Sequence, residues 1–436
     1  MALTEKAVTD RFKRSFHRST HRTLRLVGRM ARRMGYEAYL VGGIVRDTII
    51  GFPDTDLDIV IEGDAEKLGR RLASQLGGTF SKPTEFGTCK VEVKGLGTID
   101  FATARTEVYS KPGALPVVRA SDIARDLWRR DFTINAMAVS LSPGAYGSLF
   151  DPCGGLDDLR CGLLRVMHDK SFEDDPTRVI RGVRFAARYA YRFERHTLAL
   201  LRGCLKRGCL GTVSGKRVYR ELGLVCAEGS AADAIAMLES YGVTRAALGA
   251  ATRGGLRQRV RASLTDAIRR VSRAGGQPVP GTCWFAHLFV GIPPGHAGEA
   301  CARLNLPAEV RDACIWGASG LSGTLRSLAR ADAHQAYAVT KMLRGVSDEG
   351  LVLLAAAAAP RQRELVTRYL RTWRYVAPRL TGGEIASLGP GPGPHVGRIL
   401  DGIVKLRLEG SIKTRKDELA YARRQTARLT PRPKST

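Results

Sequence analysis

Asp56 and Asp58 stand two residues apart at the start of an apolar run, Leu57–Ile61. Side chains two apart on a strand share a face, so this spacing predicts one carboxylate pair. Upstream, the glycine pair Gly42 and Gly43 directly follows a second apolar run, Ala38–Val41. Bare glycines let a phosphate approach backbone N–H groups, and a helix that starts there adds a favourable dipole. Arg46 and Asp47 fall in the short helical turn that follows, which Gly51 and Pro53 break. A phosphate cradle beside two carboxylates suits metal-assisted phosphoryl transfer, in which Asp56 and Asp58 hold Mg²⁺ and the metal bridges to phosphate oxygens. Taken singly, neither a glycine pair nor an Asp-x-Asp is specific, because acidic pairs at strand starts are common on protein surfaces.

The elements that must position these groups read as strands and helices, then as helices alone. Ala65–Leu76 has helical period, and Cys89–Val93 and Thr98–Ala102 read as strands. Asp100 lies inside the second of these. It is either an exposed alternating position or a buried acid that needs a partner or a metal. Thr106–Ser121, with Pro112, Gly113 and Pro116, reads as a loop, Asp151–Leu159 as a turn-rich connector, and Leu164–Met167 as a last strand. Between them, Asp126–Val139 places Arg129 and Arg130 beside Asp131 and Asn135; arginine forks suit phosphate, and a surface ion-pair cluster is the alternative. In Ser171–Glu194, Pro176 suits a first helical turn, and Asp175, Arg178, Arg181 and Arg184 then share one helical face. A plain i,i+3 surface salt bridge explains the first pair equally well. Past residue 195 the strand signals fade. Val213–Leu222, Ala231–Gly242, Arg259–Ala274, Val396–Leu408 and Thr414–Arg424 read as helices.

Charge bounds the partner. Lys and Arg number 69 against 42 Asp and Glu, a formal net charge of +27 in 436 residues. Such an excess predicts a polyanionic partner, nucleic acid ahead of an anionic membrane. The N-terminal stretch Arg11–Arg33 is basic and poor in acids. It reads as an amphipathic first helix with Leu24, Val27 and Ala31 on one face, rather than as a targeting peptide. No apolar run reaches transmembrane length. The nine cysteines make no C-x-x-C pair, so a zinc site is not expected, and their odd number points to reduced thiols in the cytoplasm.

The stretches G-G-I-V-R-D, D-L-D, R-R-D-F-T-I-N-A-M, D-P-C-G-G-L-D-D-L and E-D-D-P-T-R, in this order, resemble the signatures of the class II tRNA nucleotidyltransferase and bacterial poly(A) polymerase family. The likeness covers roughly residues 36–225, returns over 381–424 and is thin between. It implies an α+β fold: a polymerase-β-like head with a mixed sheet, then an all-helical neck, body and tail. The implied boundaries are a basic N-terminal helix over 1–35, a catalytic head over 36–170, a neck over 171–245, a body over 246–380 and a tRNA-binding tail over 381–436. By the resemblance, Gly42, Gly43 and Arg46 cradle the triphosphate, Asp56 and Asp58 bind Mg²⁺, and Asp100 is the third carboxylate. Arg130 contacts the nucleotide, while Asp175 and Arg178, continued by Arg181 and Arg184, read the incoming base. In the tail, Lys405, Arg407, Lys413, Arg415 and Lys416 would face phosphates or form a solvated basic face. The implied activity is addition or repair of the 3′-terminal CCA of tRNA from CTP and ATP, with pyrophosphate leaving. A poly(A) polymerase, or an enzyme adding only C or only A, shares these motifs, and a catalytically silent RNA-binding protein is a reading from another class. The motifs leave oligomeric state open.

Overall fold

The structure is a computed structural model that describes residues 4–52, 56–81, 87–250, 254–331, 335–389 and 391–429. Pro53, expected to help end the first helical turn, lies outside them. The chain divides into two compact units, one of residues 1–225 and 229–247, the other of 226–228 and 248–436.

The first unit opens with α1 (Glu5–Ser15) and α2 (Arg18–Arg33). Leu24, Val27 and Ala31 of α2 are buried, as their spacing predicts. Gly28 sits so close to the chain leaving the strand Ala138–Ser140 that an added Cβ would lie 1.8 Å from the Leu141 carbonyl oxygen. The sheet itself runs β3 (Thr79–Phe80), β4 (Thr88–Val93), β5 (Gly97–Thr103), β2 (Leu57–Glu62), β1 (Glu37–Val41), β8 (Ala138–Ser140) and β9 (Leu149–Phe150) in space. β2 and β5 are parallel and the other neighbours antiparallel, a mixed sheet as expected. On β2, Leu57 and Ile59 point into the core while Asp58 is exposed, so hydrophobic alternation sets which face the acid shows. α3 (Gly43–Ile50) joins β1 to β2 and ends at Gly51 in the left-handed conformation. α4 (Ala65–Leu76) packs on β4, capped by Asp64 accepting from the Lys67 N–H at 2.8 Å.

Three expectations fail. The segment read as a loop, Thr106–Ser121, carries an antiparallel hairpin of β6 (Arg105–Val108) and β7 (Val117–Ala120); its prolines sit in the connection, where they remove no ladder donor. The connector Asp151–Leu159 becomes helical from Gly155, in α6 (Gly155–Cys161), because the Asp151 carboxylate accepts from the Gly155 and Leu156 N–H groups at 2.8 Å. The Leu164 strand does not join the main sheet. It is β10 (Leu163–Leu164), paired in parallel with β11 (Arg192–Phe193). Around these lie α5 (Ile123–Trp128), α7 (Ser171–Asp174), α8 (Thr177–Tyr189), α9 (Arg195–Lys206) and α10 (Gly215–Ala227).

The second unit is helical throughout its described residues. Its last part is a small cluster around Leu380, Ile385, Ile399, Ile403 and Ala422, formed by helices Gly382–Ala386, Pro394–Leu408 and Arg415–Ala427.

Candidate active site

β1 ends at a turn that only glycine fits. Gly42 has φ +77°, and a Cβ there would stand 2.8 Å from Arg130 Nη1. The guanidinium of Arg130 therefore lies against the glycine turn at the start of α3. Its Nη2 donates to Asp126 at 3.1 Å, while its buried Nε has no hydrogen-bond partner within the described protein. Asp126 is fully buried. Burial alone would raise its pKa, but Arg130 and Arg129 beside it hold it below the usual carboxylate range.

A cavity of about 440 Å³ opens on this turn, and its wall includes Gly42, Gly43, Asp58, Arg130, Asp175, Arg178, Arg181 and Arg184. α8 supplies the arginines at helical spacing, together with Arg188, which follows Arg184 by four residues and was not anticipated. Phe185 and Tyr189 form an aromatic ridge along the same helix. The guanidiniums of Arg46, Arg181, Arg184 and Arg188 sit 4.7–5.6 Å from one or other ring centre.

Several of the predicted side chains are already engaged. Arg46 is buried; it donates to both carboxylate oxygens of Asp47, at 2.9 and 2.8 Å, and to Asn135 Oδ1. Its fork thus braces the glycine turn against the Thr133–Asn135 turn. Asp175 does not share the α8 face as its spacing suggested: it follows α7 in extended conformation, before α8 begins at Thr177, accepts from the Thr177 N–H at 3.0 Å and pairs with Arg217 of α10 at 2.9 Å. Arg178 is buried and donates to the Arg129 carbonyl at 2.8 Å. Asp175 and Arg178 line one cavity, but each is steadied by a different neighbour. Arg181 donates twice to the buried Asp131, at 3.0 and 2.8 Å. Burial alone would raise the pKa of Asp131, yet the Arg181 charge and the Asn135 amide hold it well below the usual range.

The acids face a second, neighbouring cavity of about 550 Å³, lined by Asp58, Asp100, Lys90, Arg129 and Arg130 over an apolar floor of Ile59 and Phe101. Asp58 lines both cavities, Asp100 only this one, and Asp56, exposed just before β2, lines neither. Asp58 and Asp100 are register partners on β2 and β5. Lys90 of β4 places Nζ 3.0 Å from Asp100, and its pKa is raised by that hydrogen bond first and by the charges of Asp100, Asp58 and Asp56 besides. Among the described residues no three His, Cys, Asp or Glu side chains converge as a ready-made metal cluster. Asp100 shares its register with Asp58 and also pairs with Lys90.

Comparison with known proteins places this architecture. Residues 38–165 match the poly(A) polymerase head domain. An A-adding tRNA nucleotidyltransferase from Halalkalibacterium halodurans is 35% identical over 404 residues, covering 92% of this chain and 91% of that one. The chain belongs to the tRNA nucleotidyltransferase family. A CC-adding relative from Geobacter sulfurreducens is 31% identical over 444 residues, covering 94% of this chain and 96% of its own. The structure of the Thermotoga maritima CCA-adding enzyme complexed with tRNA superposes with a TM-score of 0.79 at 26% identity, over 97% of this chain and 98% of that one. The family thus spans A-, CC- and CCA-adding members, and this nucleotidyltransferase shares the fold of a full CCA-adding enzyme.

Beyond Arg188, sequence reasoning missed Tyr109, Glu107 and Arg217. Tyr109 and Glu107 belong to the unforeseen hairpin and its exit and form a 2.9 Å hydrogen bond at the cavity wall. Arg217 lies in α10, in the stretch V-S-G-K-R-V-Y-R-E-L, which resembles the family's helical neck. Nothing in the linear sequence links it to Asp175.

Proposed function

We propose that this chain extends the 3′ end of tRNA, taking CTP and ATP as substrates in the sequence C, C, A and releasing pyrophosphate. One observation carries the reading: a single cavity joins the glycine turn, Asp58, Arg130 and the arginine face of α8, the groups needed for triphosphate, acid and base contacts. Backbone N–H groups at the start of α3 and the Arg130 guanidinium take the triphosphate. Arg46, in the same cavity wall, holds the turn through Asp47 and Asn135. Asp175 and Arg178 present an acceptor and donors to the base edge, oriented by Arg217 and the Arg129 carbonyl. Cytosine and adenine both offer an amino group beside a ring nitrogen acceptor, which one such pair can read. Arg181, Arg184 and Arg188 line the remainder of the wall, over the rings of Phe185 and Tyr189.

The residues suit a hard divalent cation. The donors are carboxylate oxygens, and Lys90 shows that a positive charge is stabilised beside them. Asp56 and Asp58 would hold Mg²⁺, with Asp100 assisting from the neighbouring strand and water or phosphate filling the other positions. Bound there, Mg²⁺ supplies activation of the tRNA 3′-hydroxyl and neutralisation of charge on the triphosphate. The helical tail from residue 381 contributes tRNA contacts through its exposed lysines. Nine free cysteines agree with a cytoplasmic setting, and among the described residues no helix is long and apolar enough to cross a membrane.

A second reading, addition of the terminal A alone, is favoured by the higher identity to the A-adding relative, 35% against 31% for the CC-adding one. Transcripts of tRNA ending before the first C, after the first C and after both Cs separate the two. Extension of all three supports C, C, A addition. Extension of the last alone, by one A, establishes the narrower activity, and long homopolymer tails overturn both.

A further inference from the structure

Away from the two catalytic cavities, the N-terminal helices carry a second concavity, of about 400 Å³, lined by Lys13, Arg18, His21, Arg22, Arg25 and Arg29. It shares no lining residue with the catalytic cavities and precedes the matched head domain. The four arginines fall at i, i+4, i+7 and i+11 on α2, so they form one stripe along about 16 Å of helix. All four and Lys13 are exposed. None pairs with a carboxylate among the described residues, in contrast to Arg129, Arg181 and Arg217 near the active site.

This stripe is held rigidly. The opposite face of α2 is buried through Leu24, Val27 and Ala31, and Gly28 is in contact with the chain at Leu141. At the α1–α2 corner Phe12, Phe16, His21 and Tyr146 pack ring to ring with centres 5.5–6.1 Å apart. His21 Nδ1 is 2.8 Å from the Tyr146 hydroxyl, and Arg25 lies over the Tyr146 ring at 4.9 Å. Unpaired cations aligned on a fixed scaffold repel one another. That arrangement costs stability unless a polyanion joins it.

We propose that the α2 arginine stripe is a second RNA-contact site, which binds the sugar-phosphate backbone of the tRNA substrate while its 3′ end is in the catalytic cavity. Guanidinium forks match phosphate oxygens two at a time, and a linear array suits a chain of phosphates better than a single anion. An anionic membrane fits less well, because surface-lying helices anchor through exposed apolar side chains. The described residues of α1 and α2 expose no large one; Val8 and Phe12 are buried in the fold. The proposal rests on the tRNA reading of the active site.

The test is the full-length Arg18→Gln/Arg22→Gln/Arg29→Gln variant, with binding measured apart from catalysis. Each lost phosphate contact should lower the slope of log affinity against log salt by about 0.7–0.9, so the triple variant should lose about 2–3 in slope. At saturating tRNA its turnover and its KM for CTP and ATP should stay at the wild-type value, and the Arg→Lys triple variant should regain most of the slope. A wild-type slope in the glutamine variant overturns the proposal. So does unchanged tRNA binding with lost binding to phosphatidylserine vesicles, which assigns the stripe to a membrane. If the triple variant does not fold, Arg22→Gln and Arg29→Gln are measured singly, each expected to lower the slope by about 1; unchanged slopes in both overturn the proposal. Wild-type protein that binds tRNA but extends no tRNA end would sink the active-site reading and leave the stripe as a separate result.

Discussion

Asp58 and Asp100 stand opposite each other on the parallel strands β2 and β5. Their backbones are about one strand spacing, 4.7–4.9 Å, apart, and register partners show their side chains on the same sheet face. The flanking Leu57, Ile59, Ile99 and Phe101 are buried, so the hydrophobic alternation of both strands brings two negative charges together. Lys90 offsets part of that repulsion from β4, which lies on the far side of β5 from β2.

Asp58→Asn is expected to remove nearly all transfer while leaving tRNA affinity within about twofold, if the acids hold the metal and Lys and Arg elsewhere hold the RNA, as proposed above. Losing a metal ligand removes several kcal/mol of transition-state stabilisation, about 10³-fold or more in rate. Asp56→Asn should behave alike. Single-turnover extension across a Mg²⁺ titration, beside filter binding of tRNA, checks both. Strong Mg²⁺-dependent activity in the two variants would contradict the metal assignment.

Arg178→Ala should alter nucleotide choice as well as rate. A site built to hydrogen-bond one base edge rejects another by leaving its own buried groups unpaired, an effect that can reach about 10⁴–10⁵. Arg178 also satisfies the Arg129 carbonyl, so the variant should lose about 1–3 kcal/mol of stability in addition. The two effects separate in the ratio of CTP and ATP incorporation to UTP incorporation on matched tRNA ends. Lost stability alone lowers every nucleotide alike. An unaltered ratio in folded protein returns this arginine to a purely structural role.

Legibility followed the range of the forces involved. The bounds of α4 could be read because Asp64 caps its start and Gly77, in the left-handed region, its end. β2 could be read from alternation. The β6–β7 hairpin could not: its strands are four residues each, exposed or half-exposed, and interrupted by a Pro- and Gly-bearing connection. In the site, the arginine face of α8 followed from helical spacing, and Arg188 extends the same period. What stayed hidden was the partner of each side chain. That Asp47 and Asn135 occupy the Arg46 fork, or that Arg217 steadies Asp175, depends on contacts between segments far apart in the chain.

Acid should loosen the first unit through Asp131. Its folded pKa is depressed by Arg181 and Asn135 against the cost of burial. A depressed carboxylate contributes stability that is fully present above its unfolded pKa, about 3.9, and is lost as pH falls toward the folded value. Asp131→Asn keeps the shape but takes from Arg181 its doubly bonded carboxylate, leaving it Glu221 at 3.6 Å and the more distant charge of Asp175. It should destabilise by about 3 kcal/mol at pH 7, and its deficit relative to wild type should shrink below about pH 4. Urea midpoints at pH 7, 5 and 3 measure this. Curves that stay parallel across the series would show that the ion pair does not set acid sensitivity.

The basic residues of the tail should divide into two kinds. Arg407 pairs with Glu418, whose side chain is buried and also accepts from the Arg379 and Leu380 N–H groups at 2.8 and 3.1 Å. Arg415 pairs with Glu384, the capping acid of the Thr381 turn. Arg407 is thereby tied to a buried acid, whereas Arg415 and Glu384 form an exposed pair that contributes little to stability. Lys405, Lys413 and Lys416 are exposed. Lys405→Gln/Lys413→Gln/Lys416→Gln should therefore lower the salt slope of tRNA binding by about 2–3 at about 0.7–0.9 per contact, with no change in melting temperature. Arg407→Ala should do the reverse. It leaves Glu418 buried without its cation, at about 3 kcal/mol, and moves the slope by less than 1. A triple lysine variant with the wild-type slope would mean that its basic face only meets solvent, and that the tRNA is held elsewhere.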